Sequence, residues 1–578
     1  MKNEIAPHGC QIRHALATSR SSFLMTAFFS CLINILMLAG PLYMLQIYDR
    51  VLASQSMPTL IALSLLITLL FLTMGLLDLV RSRILVRVGI RLDRDMGGPI
   101  FEALMRYGAH NASLRTDQPI RDLSKLRQFL TGQGPFAIFD APWAPFYIIV
   151  VFLLDWVLGL VALGGSLAIL TLAILNEMTT RHSVAQTAAA QIQSNAFVSA
   201  SLRNIEAVKA MGMLPAIGNR WKAFHLNDLS NQVTSSDRSG FFSISTKSLR
   251  LFLQSAMLGT GAVLAIQNII TPGAMIAASI LMGRALQPVE QAVSNWRNFQ
   301  TTREAFGRLS RLLELQPEKT DRIELPSLSG RLTVESLSAG PPGVEKPFIR
   351  NVVFSLDKGQ SLGIIGPSAS GKSTLARVLV GIWPAIEGSV RIDDANILQL
   401  TDEATNREIG FLPQAVELFA GSVAENISRF DPAPNDSAVI KAAQLAGAHQ
   451  MILRLPNGYE TEIGESGLFL SAGQRQRIAL ARALYNDPVF VVLDEPNANL
   501  DADGDAALIA AMKQLKARGT TVVVISHRPG AISAMDSVLM MSDGKAVAFG
   551  PRVEVLGKVL LHPGADRQNT PNNDVAAR

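Results

Sequence analysis

The stretch with the clearest chemistry is G-P-S-A-S-G-K-S-T at residues 366–374, where small residues lead into a lysine and two hydroxyl groups. An apolar run at 361–365 predicts a buried strand before it, and residues 375–381 predict a helix after it. Between a strand and a helix, such a loop surrounds phosphate oxygens with backbone N–H groups, while Lys372 reaches the outer phosphates and the Ser373 hydroxyl ligates Mg²⁺. The pattern alone also arises by chance, and its flanking elements are what favour a nucleotide site. The predicted nucleotide-binding residues are Gly366, Pro367, Ser368, Ala369, Ser370, Gly371, Lys372, Ser373 and Thr374.

Two carboxylates follow a second apolar run. Residues 489–493 predict a buried strand that ends at Asp494 and Glu495. Asp494 is placed to hold Mg²⁺, and Glu495 to polarise the water that attacks the terminal phosphate. An acidic pair that merely ends a strand is the structural alternative. A second strand at the nucleotide is, however, what the first motif predicts.

Two more polar residues occupy predicted strand ends. Gln414 follows the run at 409–412, and His527 follows the run at 521–526. Each residue alone is more typical of a structural role than of a functional one. Because ligands of parallel sheets bind beyond the carboxyl ends of the strands, we predict that these two residues and the carboxylate pair meet on one rim of an α/β domain.

The rest of the chain is too apolar for an ordinary soluble protein. Its 578 residues are 48% hydrophobic and 17% charged, with a mean hydropathy of +0.26. A helix needs about 20 apolar residues to cross a bilayer, and such runs lie at 22–47, 58–80, 251–270 and from 272 onward. The block 143–175 holds two more if the chain turns at Asp155 and Trp156. We therefore predict six membrane spans, the first of them too long for a signal peptide.

Basic residues predict the orientation of these spans. The formal net charge is +5, and arginine and lysine crowd the second and fourth connections, at 81–127 and 181–247, whereas the other three connections hold only Arg50. The positive-inside rule then places both long connections and both termini in the cytoplasm. About 60 residues between spans 2 and 3 are too many for slack chain. We expect the spans to continue as helices into the cytoplasm.

These observations predict an all-α membrane domain of six transmembrane helices fused to a C-terminal α/β P-loop NTPase domain. The predicted boundaries are a short cytoplasmic N-terminus at 1–21, the membrane domain at 22–315, a linker at 316–330, the nucleotide domain at 331–560 and a disordered tail at 561–578. The six spans argue against a soluble ATPase that acts on DNA or ribosomes. We expect no nucleic-acid partner.

The nucleotide domain resembles the ATPase domains of ABC transporters. The phosphate loop, Gln414, the signature L-S-A-G-Q, the Asp494-Glu495 pair, a Leu500-Asp501 loop and His527 stand in the order found in that family. The resemblance implies ATP and Mg²⁺, with Gln414 as a further Mg²⁺ ligand and both Gln414 and His527 as catalytic residues beside Glu495. It also implies a homodimer in which the signature of one subunit closes over the ATP of the other. The signature residues are Leu470, Ser471, Ala472, Gly473 and Gln474.

The membrane domain resembles a narrower group, the type I secretion ABC transporters of the protease-exporter branch. The resemblance is carried by P-L-Y-M-L-Q-I-Y-D-R at 41–50, F-D-A-P-W-A-P at 139–145, S-L-R-N-I-E-A-V-K-A-M-G at 201–212 and M-I-A-A-S-I-L-M-G-R-A-L at 275–286. It implies export of an unfolded polypeptide across the bacterial inner membrane, with a periplasmic adaptor (membrane fusion) protein and an outer-membrane channel as partners. Export of a lipid or small hydrophobic molecule is the alternative. With 21 residues before the first span, no N-terminal peptidase domain is expected.

Two details complete the sequence predictions. Arg284, Gln287 and Gln291 recur at helical spacing within the last span, so they share a face that we expect to line the translocation path. The nucleotide domain departs from the family pattern at Ala472, where glycine is usual, and the segment 332–341 lacks the aromatic residue that commonly stacks on adenine. The adenine contact is therefore unassigned.

Overall fold

The structure is a computed structural model that describes residues 11–110, 116–132, 134–315, 328–344, 346–401, 405, 407–464, 467 and 469–561. The chain divides into two compact units, Met1–Met105 with Thr116–Gln316 and Arg106–Arg115 with Pro317–Arg578. The first ten residues, most of the predicted linker (316–327) and nearly all of the predicted tail (562–578) lie outside the described residues.

The first unit is entirely helical where the structure describes it. Five of its helical segments are long and apolar enough to cross a membrane: Arg20–Ser54, Met57–Gly108, Gly134–Leu154, Trp156–Arg203 and Leu214–Ile266. At 1.5 Å per residue, the three longest extend for about 70–80 Å, more than twice the thickness of a ~30 Å bilayer core. The prediction that several spans continue as helices beyond the membrane is therefore confirmed.

The break predicted inside the block 143–175 is also present. Helix Ala144–Leu154 ends at Asp155, whose extended backbone lets its side chain accept hydrogen bonds from the N–H groups of Val157 and Leu158. Asp155 thereby caps the N-terminus of helix Trp156–Arg203, which explains why two apolar segments in direct succession do not form one helix.

The last predicted span is helix Pro272–Ser294, which is not among the five most apolar segments. Its 23 residues extend for about 35 Å, enough to span a bilayer core. The second half of the helix contains Arg284, Gln287 and Glu290, which lower its hydropathy. Its neighbours are long apolar helices, and residues such as Ala278 and Met282 are buried against them.

The remaining bounds in this unit follow from local breaks. The first segment comprises Arg20–Leu36, Ala39–Gln46, a π-helix at Ile47–Val51 and Leu52–Ser54; the second is Met57–His110; and the third comprises Gly134–Asp140, a 3₁₀ turn at Ala141–Trp143 and Ala144–Leu154. The other helices are Gln11–Thr18, Gln118–Thr131, Ile205–Ala210 and Trp296–Glu314.

Asp49, from the motif at 41–50, joins the first membrane segment to the last. Its carboxylate accepts hydrogen bonds from the Thr271 hydroxyl (2.5 Å) and from the Gly273 N–H (2.8 Å) at the start of helix Pro272–Ser294. A carboxylate at a helix N-terminus also interacts favourably with the helix dipole.

Asp140, from the motif at 139–145, joins three helices in a similar way. It receives hydrogen bonds from buried Arg81 (2.9 Å), from Asn34 (3.0 Å) and from Ser30. Tyr147 in turn donates to Asn34. A buried charge is stable in such a place only when it is paired and hydrogen-bonded. Both motifs thus have a structural role at helix contacts.

The second unit contains two sheets. The ten strands are β1 Leu332–Ala339, β2 Ile349–Leu356, β3 Ser361–Ile365, β4 Glu387–Ile392, β5 Ala395–Asn396, β6 Ile409–Leu412, β7 Phe490–Asp494, β8 Thr521–Ile525, β9 Ser537–Ser542 and β10 Lys545–Pro551. The smaller sheet is antiparallel with the order β2-β1-β4-β5, and the larger has the order β10-β9-β3-β8-β7-β6. In the larger sheet only β10 runs antiparallel to its neighbour.

Helices cover the larger sheet, so β7 and β8 are buried along their whole length, as their continuous apolar sequences predict. The carboxyl ends of β3, β6, β7 and β8 therefore lie on the same edge, and the loops that follow them carry the predicted site residues. The helices of this unit are Lys372–Leu379, Val423–Ile427, Asp436–Leu445, His449–Leu453, Ala472–Leu484, Ala502–Ala517, Pro529–Ser533 and Arg552–Leu561, with 3₁₀ turns at Ile397–Gln399 and Gly458–Glu460.

Candidate functional site

The loop after β3 requires glycine at two positions. Gly366 has a φ of +151°, and a Cβ atom there would lie 2.1 Å from the carbonyl oxygen of Met541. Gly371 has a φ of +95°, and a Cβ atom there would lie 2.5 Å from Ile349. Any other residue would clash and adopt an unfavourable backbone conformation. The loop can therefore close tightly around the N-terminus of helix Lys372–Leu379, where backbone N–H groups favour an anion.

Lys372 lies inside this loop. Its Nζ atom donates hydrogen bonds to the carbonyl oxygens of Gly366 (2.9 Å) and Pro367 (2.7 Å). Burial lowers the pKa of Lys372, and the nearby carboxylates of Glu495 and Asp494 oppose that shift. The ammonium group is thus held among the N–H groups that would surround the phosphates.

Asp494 has the properties of a metal ligand. It is 2% exposed at the end of β7, and its Oδ1 atom is buried without a hydrogen-bond partner among the described residues. Burial raises the pKa of Asp494; a hydrogen bond with Ser373 lowers it, and the nearby Glu495 raises it. A buried carboxylate oxygen without a partner is costly, and Mg²⁺ prefers oxygen ligands that include one or two carboxylates and the phosphates of a substrate. The residues present therefore fit Mg²⁺.

Glu495 lies between the two other predicted catalytic side chains. The Gln414 amide donates to Glu495 Oε2 at 3.1 Å, and His527 Nε2 lies 3.6 Å from Glu495 Oε1. Glu495 itself has a φ of +50°, which is unfavourable for a residue with a side chain, and its N–H group donates to the carbonyl of Ile525 at 2.9 Å. The structure thus brings the ends of β6, β7 and β8 together around one partly exposed carboxylate.

The signature forms the start of helix Ala472–Leu484. Ser471 is the N-cap residue: its hydroxyl accepts from the Gln474 N–H, and the Gln474 side chain accepts from the Ser471 N–H. Leu470 is buried and fixes this turn, while Ser471, Ala472 and part of Gly473 face an open cavity of about 540 Å³ that Asn499 also lines. In the described part of the chain, no hydrogen bond or ion pair joins these side chains to the phosphate loop.

Two residues of the same helix hold the catalytic loop, and the sequence reasoning missed them. Gln476 is buried and donates to the carbonyl of Pro496 at 3.0 Å, directly after Glu495. Arg477 forms an ion pair with Asp501 at 2.5 Å, and Asp501 caps helix Ala502–Ala517. The signature helix is therefore connected to the loop that carries the proposed general base. The glutamine and arginine that follow the signature were the available signal.

Phe348 is a second residue that the sequence reasoning missed. Its side chain is 55% exposed at the start of β2, and its N–H group donates to the carbonyl of Ala339 at 2.8 Å. The next residue, Ile349, packs against Gly371 of the phosphate loop. The structure thus places an exposed aromatic ring beside the nucleotide-binding loop, seven residues beyond the segment in which an aromatic was sought.

In the helical unit, Arg284, Gln287 and Gln291 line one cavity of about 480 Å³. Arg284 donates to the side-chain oxygen of Gln287 at 3.1 Å. The helical spacing of these three residues had predicted that they share a face.

Comparisons with known proteins agree with this geometry. Residues 349–498 match the family model described as ABC transporter, and residues 23–289 match the model described as ABC transporter transmembrane region. The chain is 45% identical, over 96% of each sequence, to the type I secretion system ATP-binding protein PrsD of Rhizobium meliloti (strain 1021). This chain belongs to the type I secretion ABC transporter family. The predicted family, the ATPase coupled to transport and the multi-pass membrane domain are thereby confirmed.

A more distant relative of this family member is the leukotoxin translocation ATP-binding protein LktB of Mannheimia haemolytica. The two are 29% identical over 94% of this chain and 77% of LktB. Among solved structures, a bacterial Atm1-family ABC exporter with ATP bound aligns with a TM-score of 0.80 at 22% identity, over 94% of this chain and 97% of that one. The alignment confirms the predicted fold class.

Proposed function

We propose that this transporter is the inner-membrane ATPase of a type I secretion system and exports an unfolded polypeptide from the cytoplasm. The observation that carries the proposal is the 45% identity to PrsD over 96% of the chain, membrane helices included. The ATPase domain alone would not separate a polypeptide exporter from a lipid exporter, because both use the same nucleotide chemistry. The membrane domain makes the difference.

The catalytic roles follow from the geometry of the nucleotide unit. Glu495 would orient and polarise the attacking water, and Gln414 and His527 would hold its two carboxylate oxygens in place. Lys372 and the loop N–H groups would bind the phosphates. Mg²⁺, held by Asp494, Ser373 and Gln414, would offset charge on the β- and γ-phosphate oxygens.

The signature residues would act across a homodimer. In the described part of the chain Ser471 has no contact with the phosphate loop, and a twofold dimer would let the signature of each subunit bind the γ-phosphate held by the other. Closing such a dimer from 1:99 to 99:1 requires about 5.5 kcal/mol. Hydrogen bonds to charged groups contribute about 1.5–3 kcal/mol each, so a few phosphate contacts per site suffice.

The membrane arrangement is likewise a proposal. Six spans within residues 22–315 would place both termini and the nucleotide domain (331–560) in the cytoplasm, because arginine and lysine concentrate in the second and fourth connections. Arg284, Gln287 and Gln291 would line the translocation path. A periplasmic adaptor, an outer-membrane channel and membrane lipid would complete the assembly.

We expect Phe348 to supply the adenine contact. Stacking of a base on an aromatic ring contributes about 1–3 kcal/mol, so Phe348→Ala should weaken ATP binding about tenfold, whereas Phe348→Trp should preserve it. Phe419→Ala removes another exposed phenylalanine, 65% accessible, and serves as the control. Binding of a fluorescent ATP analogue to the purified protein measures the effect. Equal affinities for Phe348→Ala and the wild type would exclude this contact.

The function itself is tested by secretion from intact cells. Cells that contain the transporter, an adaptor, an outer-membrane channel and a cargo with its own C-terminal segment should release the cargo into the medium without cleaving an N-terminal signal. Omission of any one component should stop release, since the route needs all three. A lipid exporter would act alone. Lipid translocation by the purified chain, with no cargo released by the complete assembly, would contradict the proposal.

A further inference from the structure

The cavity that contains Arg284 carries more positive charge than the last span alone supplies. Its opposite wall belongs to helix Leu214–Ile266, which contributes Lys247 and Arg250. The one acidic residue that lines it, Glu290, is paired with Arg250 at 2.7 Å. Within the described residues, neither Lys247 nor Arg284 lies within 4.0 Å of a carboxylate. Two positive charges in the cavity therefore lack an acidic partner.

The depth of the cavity follows from how the two helices pair. Ser279 donates to the carbonyl of Gln254 at 3.4 Å, and Gly283 faces the Gln254 side chain. Arg284 follows Pro272, the start of its helix, by twelve residues, or about 18 Å along the helix axis. The cavity therefore begins more than halfway across a ~30 Å bilayer core. A charge is costly to place at that depth, so side chains retained there indicate a function.

The cavity wall is suited to a peptide. Besides the charged residues, glutamine and serine side chains dominate the lining, and Ile280 is its one large apolar side chain. Amide and hydroxyl groups can donate to and accept from a peptide backbone, whereas an acyl chain needs an apolar surface. The volume of about 480 Å³ is in the range of ligand-binding cavities.

We infer that this cavity is a selectivity site for acidic stretches of the exported polypeptide. Lys247 and Arg284 bind aspartate or glutamate side chains, Gln287 and Gln291 bind the peptide backbone, and Glu290 limits the excess charge by pairing with Arg250. This inference rests on the proposed polypeptide export and adds the chemical class of sequence that the path prefers. Charge-assisted hydrogen bonds give both strength and selectivity for carboxylates.

The test is a binding measurement that requires neither export nor ATP hydrolysis. Purified full-length transporter in phosphatidylcholine nanodiscs is titrated into two fluorescent twelve-residue peptides of alternating sequence, one of aspartate and glycine and the other of asparagine and glycine. Fluorescence anisotropy should show at least about tenfold tighter binding of the aspartate peptide, since each charge-assisted contact is worth that much. The preference should decrease as salt is raised.

The matched variants remove equal charge from the same unit. Lys247→Gln combined with Arg284→Gln should abolish the preference for the aspartate peptide. Arg220→Gln combined with Lys222→Gln removes one arginine and one lysine from exposed positions on helix Leu214–Ile266 and should retain it. Refolding defects are checked by melting temperature, and the single Arg284→Lys variant, which keeps the charge, should retain at least part of the preference.

Three results would overturn the inference: equal affinity for both peptides, an equal loss in both double variants, or displacement of the aspartate peptide by phosphatidylglycerol together with unchanged cargo export by the Lys247 and Arg284 double variant. The last result would assign the cavity to anionic lipid. The failure of the proposed function is a separate observation, because a wild-type assembly that secretes no polypeptide says nothing about peptide affinity.

Discussion

Glu495→Gln should lower steady-state ATP hydrolysis by at least about 100-fold, the lower range for loss of a general base, while ATP binding remains. The amide oxygen of glutamine can still accept the hydrogen bond from Gln414, which now measures 3.1 Å. The site therefore keeps its shape and its phosphate contacts. Only the negative charge that polarises water is lost.

Phosphate release by the purified transporter measures this effect, and a nucleotide-binding assay on the same sample shows that the site is intact. Glu554→Gln, an exposed position on helix Arg552–Leu561, is the matched control and should behave as the wild type. Hydrolysis by Glu495→Gln within a few-fold of the wild type would remove Glu495 from the role of general base.

Mixed dimers should show that each ATP is shared between two subunits. When Lys372→Ala is in one subunit and Ser471→Ala in the other, both changes fall in the same composite site, and the second site keeps its phosphate loop and its signature. When both changes are in one subunit and the partner is unchanged, each site has lost one of its halves. We expect substantial hydrolysis from the first arrangement and almost none from the second.

Two affinity tags on the two copies allow each dimer to be purified, and both preparations contain the same number of substitutions. The comparison therefore controls for any effect of the changes on folding. If each site lay within a single chain, the order of activities would be reversed, because the dimer with one unchanged subunit would keep an intact site.

The sequence predicts those parts of the site that depend on local pattern. Short apolar runs that end at Leu412, Leu493 and Ile525 can be assigned as parallel strands, and parallel strands bring the residues after them to one edge. The same reasoning explains the break at Asp155, because an aspartate between two apolar segments is a good helix N-cap.

Contacts between distant segments could not be derived in this way. Lys247 reads as part of a solvated helix face, and only the pairing of its helix with Pro272–Ser294 places it opposite Arg284. Phe348 lies beyond the segment in which an aromatic was expected, and its closeness to Gly371 depends on how β2 packs against the phosphate loop. Gln476 likewise supports the catalytic loop through a contact 20 residues away in sequence.

The most direct test of polypeptide export is protease protection in inverted inner-membrane vesicles that contain the transporter and its adaptor. An unfolded cargo added outside, with ATP, should become resistant to protease as it enters the lumen, and detergent should restore its digestion. Vesicles with Lys372→Ala should protect none of it, because that variant loses the lysine that binds the phosphates. ATP-dependent movement of a fluorescent lipid across the same membranes, with the cargo left fully digestible, would contradict the account.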